Sequence, residues 1–248
     1  MEGGAYSEMY ELEDDHWWFR GRRRIIWALL SRERLKGEQR VLDAGCGTGR
    51  NLVEFGGLGP ISGVDPSEEA VEFCHHRGLK NVQRAGLECL PFEDDSFDLL
   101  LACDVIEHVR HDSEALAELH RVAAPGATLI ITAPAYQWMW TEHDVQLHHF
   151  RRYTLRVICA RARAAGWEID QATYFNSILF PVVAVARVIQ RVLAVLGHAR
   201  RGHTDLDRTP QALNTVLETP FEMEAWLVGR GIRLPAGVSL GVSARKRR

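Results

Sequence analysis

Asp43, Gly45, Gly47, Gly49 and Asp65 are the residues whose types and spacing point most directly to chemistry. The run Val41-Leu42-Asp43-Ala44-Gly45-Cys46-Gly47-Thr48-Gly49 passes from apolar residues into a glycine-rich turn, where the backbone can bend sharply and approach a ligand without Cβ clashes. Ile61-Ser62-Gly63-Val64-Asp65 reads as a second strand ending in a carboxylate, with a helical stretch over residues 50–55 between the two. Asp65 falls sixteen residues after Gly49, near the separation at which such a carboxylate accepts hydrogen bonds from ribose hydroxyls. Pro66 follows it directly. This stretch predicts a site for a nucleotide-like ligand.

A dinucleotide-binding turn is spaced G-x-G-x-x-G/A. Here the third glycine comes one residue early, and Arg50 stands where a third small residue is expected. Asp43, at the tip of the first strand, adds an acceptor suited to a cationic amine. With these features the stretch resembles motif I of the class I S-adenosylmethionine-dependent methyltransferases. The segment from Arg84 through Gly86, Leu87 and Pro91 to Phe97-Asp98 is similar to the family's third and fourth motifs. Cys103-Asp104-Val105-Ile106-Glu107-His108-Val109 is similar to its D-V-x-E-H-V stretch beside the transferable methyl group. The resemblance covers residues 40–135 most fully.

The resemblance implies S-adenosyl-L-methionine as cofactor, with Asp43, Gly45, Cys46, Gly47, Gly49, Asp65, Pro66 and Asp104 around it. Family members commonly carry an aspartate at the position of Gly86, against the adenine amino group. Here an adenine contact would rest on backbone groups of Gly86 and Leu87. A helix expected over residues 16–35 precedes the first strand and can lie over the pocket. Trp18, Phe19 and Arg20 are its candidates for an aromatic edge against the adenosyl group and a cation near the carboxylate; core packing is the competing reading.

The elements that must position these residues follow in order. A helix with a polar cap and acidic first turn opens at residues 67–71. Strands are expected over residues 82–85, 97–105, 127–132 and 167–175, with helices over 113–123 and from Thr154 to near Gly166. Such alternation implies an α/β, doubly wound, Rossmann-like parallel sheet whose ligand lies at the carboxyl ends of the strands. In the related family a seventh, antiparallel strand follows after a short connection. Here its candidate, residues 238–244, arrives about sixty residues later. The expected organisation is one domain over residues 1–248, with a cap helix at 16–36, a substrate loop at 135–154 and a helical insertion at 176–236. Within the insertion, Thr219 and Pro220 read as the cap and first turn of a separate helix, and residues 198–208 as a mobile polar loop.

The long loop after the fifth strand mixes large rings with titratable groups, which suits a lid over an acceptor. Tyr136, Trp138, Trp140, His143, Asp144, Arg151 and Tyr153 are its substrate candidates. His143, Asp144, His148 and His149 invite a metal reading, but their spacing matches no zinc signature, and no metal is expected. His108 is the first candidate general base and His149 the second, for an oxygen or carbon acceptor that must lose a proton.

Composition bounds the partners. The 248 residues carry a formal net charge of -3, which argues against a general nucleic-acid binder. Five cysteines without a paired motif favour a reduced, cytoplasmic setting, and residues 1–15 are acidic, unlike a signal peptide. Residues 178–196 are apolar but contain Arg187, Arg191 and Pro181, so peripheral membrane contact or a lid fits better than a span, beside packing against the domain or a dimer partner. The expected activity is methyl transfer to a small-molecule acceptor, hydrophobic for preference, by a monomer or homodimer. The rivals are a nicotinamide-dependent oxidoreductase and a non-catalytic binding protein.

Overall fold

The computed structural model describes residues 4–33, 35, 37–195 and 209–247. In chain order its elements are α1 (Ala5–Leu12), α2 (Trp17–Leu30), β1 (Val41–Ala44), α3 (Arg50–Phe55), β2 (Ile61–Asp65), α4 (Glu68–His76), β3 (Val82–Arg84), β4 (Phe97–Cys103), α5 (Asp112–Val122) and β5 (Ala123–Pro134). Then come α6 (Glu142–Gln146), α7 (Leu155–Ala164), β6 (Trp167–Phe175), α8 (Phe180–Val195), α9 (Gln211–Gly229) and β7 (Ser239–Lys246). The seven strands form one sheet in the order β3-β2-β1-β4-β5-β7-β6. β1 to β5 pair in parallel, and β7 is antiparallel to both β5 and β6. This is the doubly wound α/β sheet with an antiparallel last strand that the sequence predicts.

Successive side chains on a strand point to opposite faces, and both faces of β4 are covered. Leu100 and Ala102 join Leu116 and Leu119 of α5 on one side, whereas Leu99 and Leu101 join Ile25, Ile26 and Leu29 of α2 on the other. An apolar run without polar alternation is the consequence. The helix that precedes the sheet in sequence thus covers it and brings its N-terminal end to the strand tips.

α9 locks α2 in place. A Cβ on Gly21 would lie 2.4 Å from the ring of the fully buried Phe221, so only glycine admits that ring. Arg24 adds an ion pair of 2.8 Å to Glu218. Here a sequence expectation fails: Thr219 and Pro220 start no new helix, because α9 runs through both. The Thr219 hydroxyl donates to the Thr215 carbonyl, and burial of Phe221 against α2 and Phe175 offsets the backbone bond that proline forgoes. Further differences are that β5 starts at Ala123 and incorporates Pro125 and Gly126, and that α2 ends at Leu30. The polar stretch at 198–208 lies outside the described residues.

Candidate active site

The strand order reverses between β1 and β4, and a cavity of about 810 Å³ opens at their carboxyl ends. Gly45 and Gly47 form its floor, with φ of 78° and 53°. A Cβ on Gly45 would stand 2.2 Å from Val105, and at Gly47 the left-handed backbone disfavours any side chain, with the flexible tip of Met9 2.8 Å from where its Cβ would lie. Cys46 lines the same floor, while Gly49 faces Leu79 and Cys74 away from it.

Asp65 closes one end. Its carboxylate accepts from the Gly47 N–H at 2.9 Å, the Ser67 N–H at 3.0 Å and the Tyr6 hydroxyl at 3.2 Å. Burial raises its pKa, against the pull of those two backbone donors. Pro66 lies beside it on the wall. Tyr6 and Met9 place α1 directly over this end, a contribution that sequence reading missed. Asp43 lies beneath the turn rather than on the cavity wall, fully buried, with neither oxygen meeting a donor at bonding geometry. Burial lifts its pKa to about 7, partly countered by Arg22.

Trp18 and Phe19 both reach the wall, but the cation beside them is Arg22. Its guanidinium lies 5.0 Å from the Trp18 ring centre and donates to Asp104 Oδ2 at 2.6 Å. Asp104 itself has a φ of 52°, in the left-handed region that favours glycine, and the ion pair helps to hold it there. Arg20 is a correction: it points away and pairs with Glu218 at 3.1 Å. The Leu87 side chain is buried in the core, and neither it nor Gly86 is among the residues lining the cavity, so the adenine contact expected of their backbone groups stays a proposal.

The far end is built from the turn after β4 and the loop around α6. Glu107, His108, His143, His148 and His149 line it together with the apolar Met139 and Phe150. His108 and His149 meet edge to face, ring centres 4.5 Å apart. Burial and the neighbouring His149 depress the His108 pKa to about 3. His149 Nδ1 is 2.8 Å from Asp144, which also takes Arg152 Nε at 2.8 Å and Nη2 at 2.9 Å. Burial works to raise the Asp144 pKa, but these partners outweigh it and hold the carboxylate well below its usual range. Burial and Asp104 push Glu107 well up, and its Oε2 has no partner.

The remaining loop candidates are not brought to the cavity. Tyr153 is fully buried and donates to Asp112 at 2.6 Å, and Arg151 pairs with the same carboxylate at 2.8 Å. Both tie the loop to α5. Asp144 is likewise fully buried and acts through Arg152 and His149. Tyr136 stacks on Tyr174 at 5.0 Å and on Trp138 at 6.0 Å, outside the cavity wall, and Trp140 lies behind His149, 6.5 Å from its ring.

Residues 42–131 match a family model described as a methyltransferase domain. A ubiquinone/menaquinone biosynthesis C-methyltransferase of Geotalea daltonii is 36% identical over 103 residues, 37% of this chain and 44% of that protein. A probable S-adenosylmethionine-dependent methyltransferase of Mycolicibacterium smegmatis is 26% identical over 163 residues, 64% of this chain and 62% of that protein. The chain therefore spans about half of the length of these curated relatives. A solved S-adenosylmethionine-dependent methyltransferase from Mesorhizobium loti shares the fold, with a TM-score of 0.60 at 16% identity, over 94% of this chain and 100% of that one. Residues 42–131 thus carry a methyltransferase domain, set in a sheet whose fold is shared with a solved S-adenosylmethionine-dependent methyltransferase.

Proposed function

We propose that this protein transfers a methyl group from S-adenosylmethionine to a small or amphiphilic acceptor. The observation that carries this reading is one continuous cavity with Asp65 at one end, Arg22 along its wall and the His108–His149 pair at the other. The residues fit the cofactor: a floor that excludes Cβ atoms, a buried carboxylate for ribose hydroxyls, a guanidinium for a carboxylate and two aromatic rings. Asp43 beneath the floor favours an ammonium group through its charge.

Bound there, S-adenosylmethionine supplies a methyl carbon on a sulfonium, a leaving group that needs no protonation. The chain's own task is chiefly to hold the acceptor atom in line, and positioning of this kind can account for about 7 to 11 kcal/mol of a barrier. Asp65 and the turn fix the nucleoside end. Arg22, held by Asp104, fixes the amino-acid end. His108 and His149 supply polar atoms at the acceptor end of the cavity.

The acceptor compartment is partly apolar. Met139, Phe150 and Val183 of α8 line it, and α8 turns Val182, Val185, Val188 and Ile189 outward, where each is more than half exposed. This favours an acceptor with an apolar portion, delivered from a membrane surface that α8 touches. One relative is named for ubiquinone/menaquinone biosynthesis. Among the described residues no helix is long and apolar enough to cross a membrane. A screen of acceptors with labelled methyl donor, read by mass spectrometry, should yield a singly methylated product from an apolar or amphiphilic compound. Turnover confined to fully polar acceptors would overturn the preference, and cofactor binding without turnover would favour a binding role.

A further inference from the structure

We propose that Glu107, His108 and His149 form a binding site for one divalent transition-metal ion, with open coordination positions facing the acceptor. The ligand atoms of the three side chains all lie within 4.8 Å of one another. Two imidazoles and one carboxylate on one side of an ion are a donor set suited to first-row divalent metals, and they leave positions for outside ligands. Sequence spacing hides this group, because His149 follows His108 by 41 residues.

Three features of the surroundings point to a cation rather than to a simple polar cluster. Glu107 is 1% exposed, lines the cavity, and presents an Oε2 without any hydrogen-bond partner. Neither neighbouring cation bonds to it: Arg152 is bonded to both oxygens of Asp144, and Arg22 donates to Asp104. His149 already has one ring nitrogen oriented by an acceptor, Nδ1 by Asp144. A metal-binding histidine is held in the same way, with its second nitrogen left for the ion.

Ligand bonds of about 2.1 Å bring neighbouring donor atoms to about 3.0 to 3.4 Å. Binding therefore shortens the separations between donor atoms by up to about 1.4 to 1.8 Å, shared among the three side chains. The open positions take oxygen atoms, so the preferred acceptor carries a hydroxyl, or two on neighbouring atoms. This last clause rests on the methyltransferase reading; the metal site does not.

The test uses metal-free full-length protein without an affinity tag, titrated with Zn²⁺ by calorimetry and with Co²⁺ by visible absorption. The expected result is one equivalent bound at micromolar or tighter affinity, with Co²⁺ bands that report nitrogen ligands. Glu107→Gln and His149→Ala should each weaken it by tenfold or more, and His148→Ala by less than twofold. Retained S-adenosylhomocysteine binding certifies that the variants are folded. Asp65→Ala should weaken S-adenosylhomocysteine binding by tenfold or more yet keep the metal, so failure of either reading shows separately. Absence of saturable binding, or equal binding by wild type, Glu107→Gln and His149→Ala, overturns the proposal.

Discussion

The hydroxyl of Tyr6 donates to Oδ1 of Asp65 at 3.2 Å, on the carboxylate that a ribose would need. α1 is thereby fastened across the nucleoside end of the cavity, with Met9 above Gly47. A ligand that uses both oxygens of Asp65 must displace this bond. Tyr6→Phe should therefore tighten S-adenosylhomocysteine binding by about 0.5 to 1.5 kcal/mol, the net worth of one hydrogen bond. Calorimetry checks it, and weaker binding in the variant would mean that the hydroxyl holds the ligand instead.

Arg22 and Arg20 should separate cleanly. Arg22→Ala is expected to weaken S-adenosylhomocysteine by about 1.5 to 3 kcal/mol, the range for a charged hydrogen bond. It should barely change binding of methylthioadenosine, which lacks the carboxylate. Arg20→Ala should leave both affinities unchanged, because its partner is Glu218. Equal losses for the two nucleosides on Arg22→Ala would contradict the assigned contact.

Cofactor affinity should rise with pH around neutrality. Burial raises the Asp43 pKa to about 7 in the free protein. In that state the native fold holds a proton that the unfolded chain has released, so the group's contribution to stability is complete at low pH and is lost as pH rises through about 7. A cationic ligand favours the ionised form. S-adenosylmethionine should therefore bind more tightly from pH 6 to pH 8, releasing up to one proton. Calorimetry in buffers of different ionisation heat measures this release, and a flat affinity with none would refute it.

Asp144 is a stability residue as much as a site residue. It is fully buried and holds Arg152 and His149 while capping α6 through the Thr141 N–H. Asp144→Ala leaves a buried guanidinium without its carboxylate, a change that costs about 3 to 5 kcal/mol. Denaturant unfolding should show that loss, whereas Arg151→Ala, whose partner Asp112 keeps Tyr153 and Arg161, should cost much less.

The readable parts of the site were those encoded locally. A strand, a glycine turn and a carboxylate at the next strand's tip lie within 25 residues, so Gly45, Gly47 and Asp65 could be named from spacing alone. Choices between near neighbours depended on partners far along the chain. Arg20 rather than Arg22 is drawn off by Glu218, 198 residues later, and Arg151 rather than Arg152 by Asp112 on α5. α1 was invisible as a cover because nothing in its composition signals contact with Asp65. Glu107 stood in a quoted motif, but its orphaned oxygen appears only once β4, the loop and α2 enclose it.

Calorimetric titration of the full chain with S-adenosylhomocysteine, beside NADH and an Asp65→Ala variant, measures the cofactor preference directly. Saturable binding of S-adenosylhomocysteine alone is expected, weakened in the variant by about 1.5 to 3 kcal/mol for the lost charged hydrogen bonds. Binding of NADH alone, or of neither ligand, would contradict it.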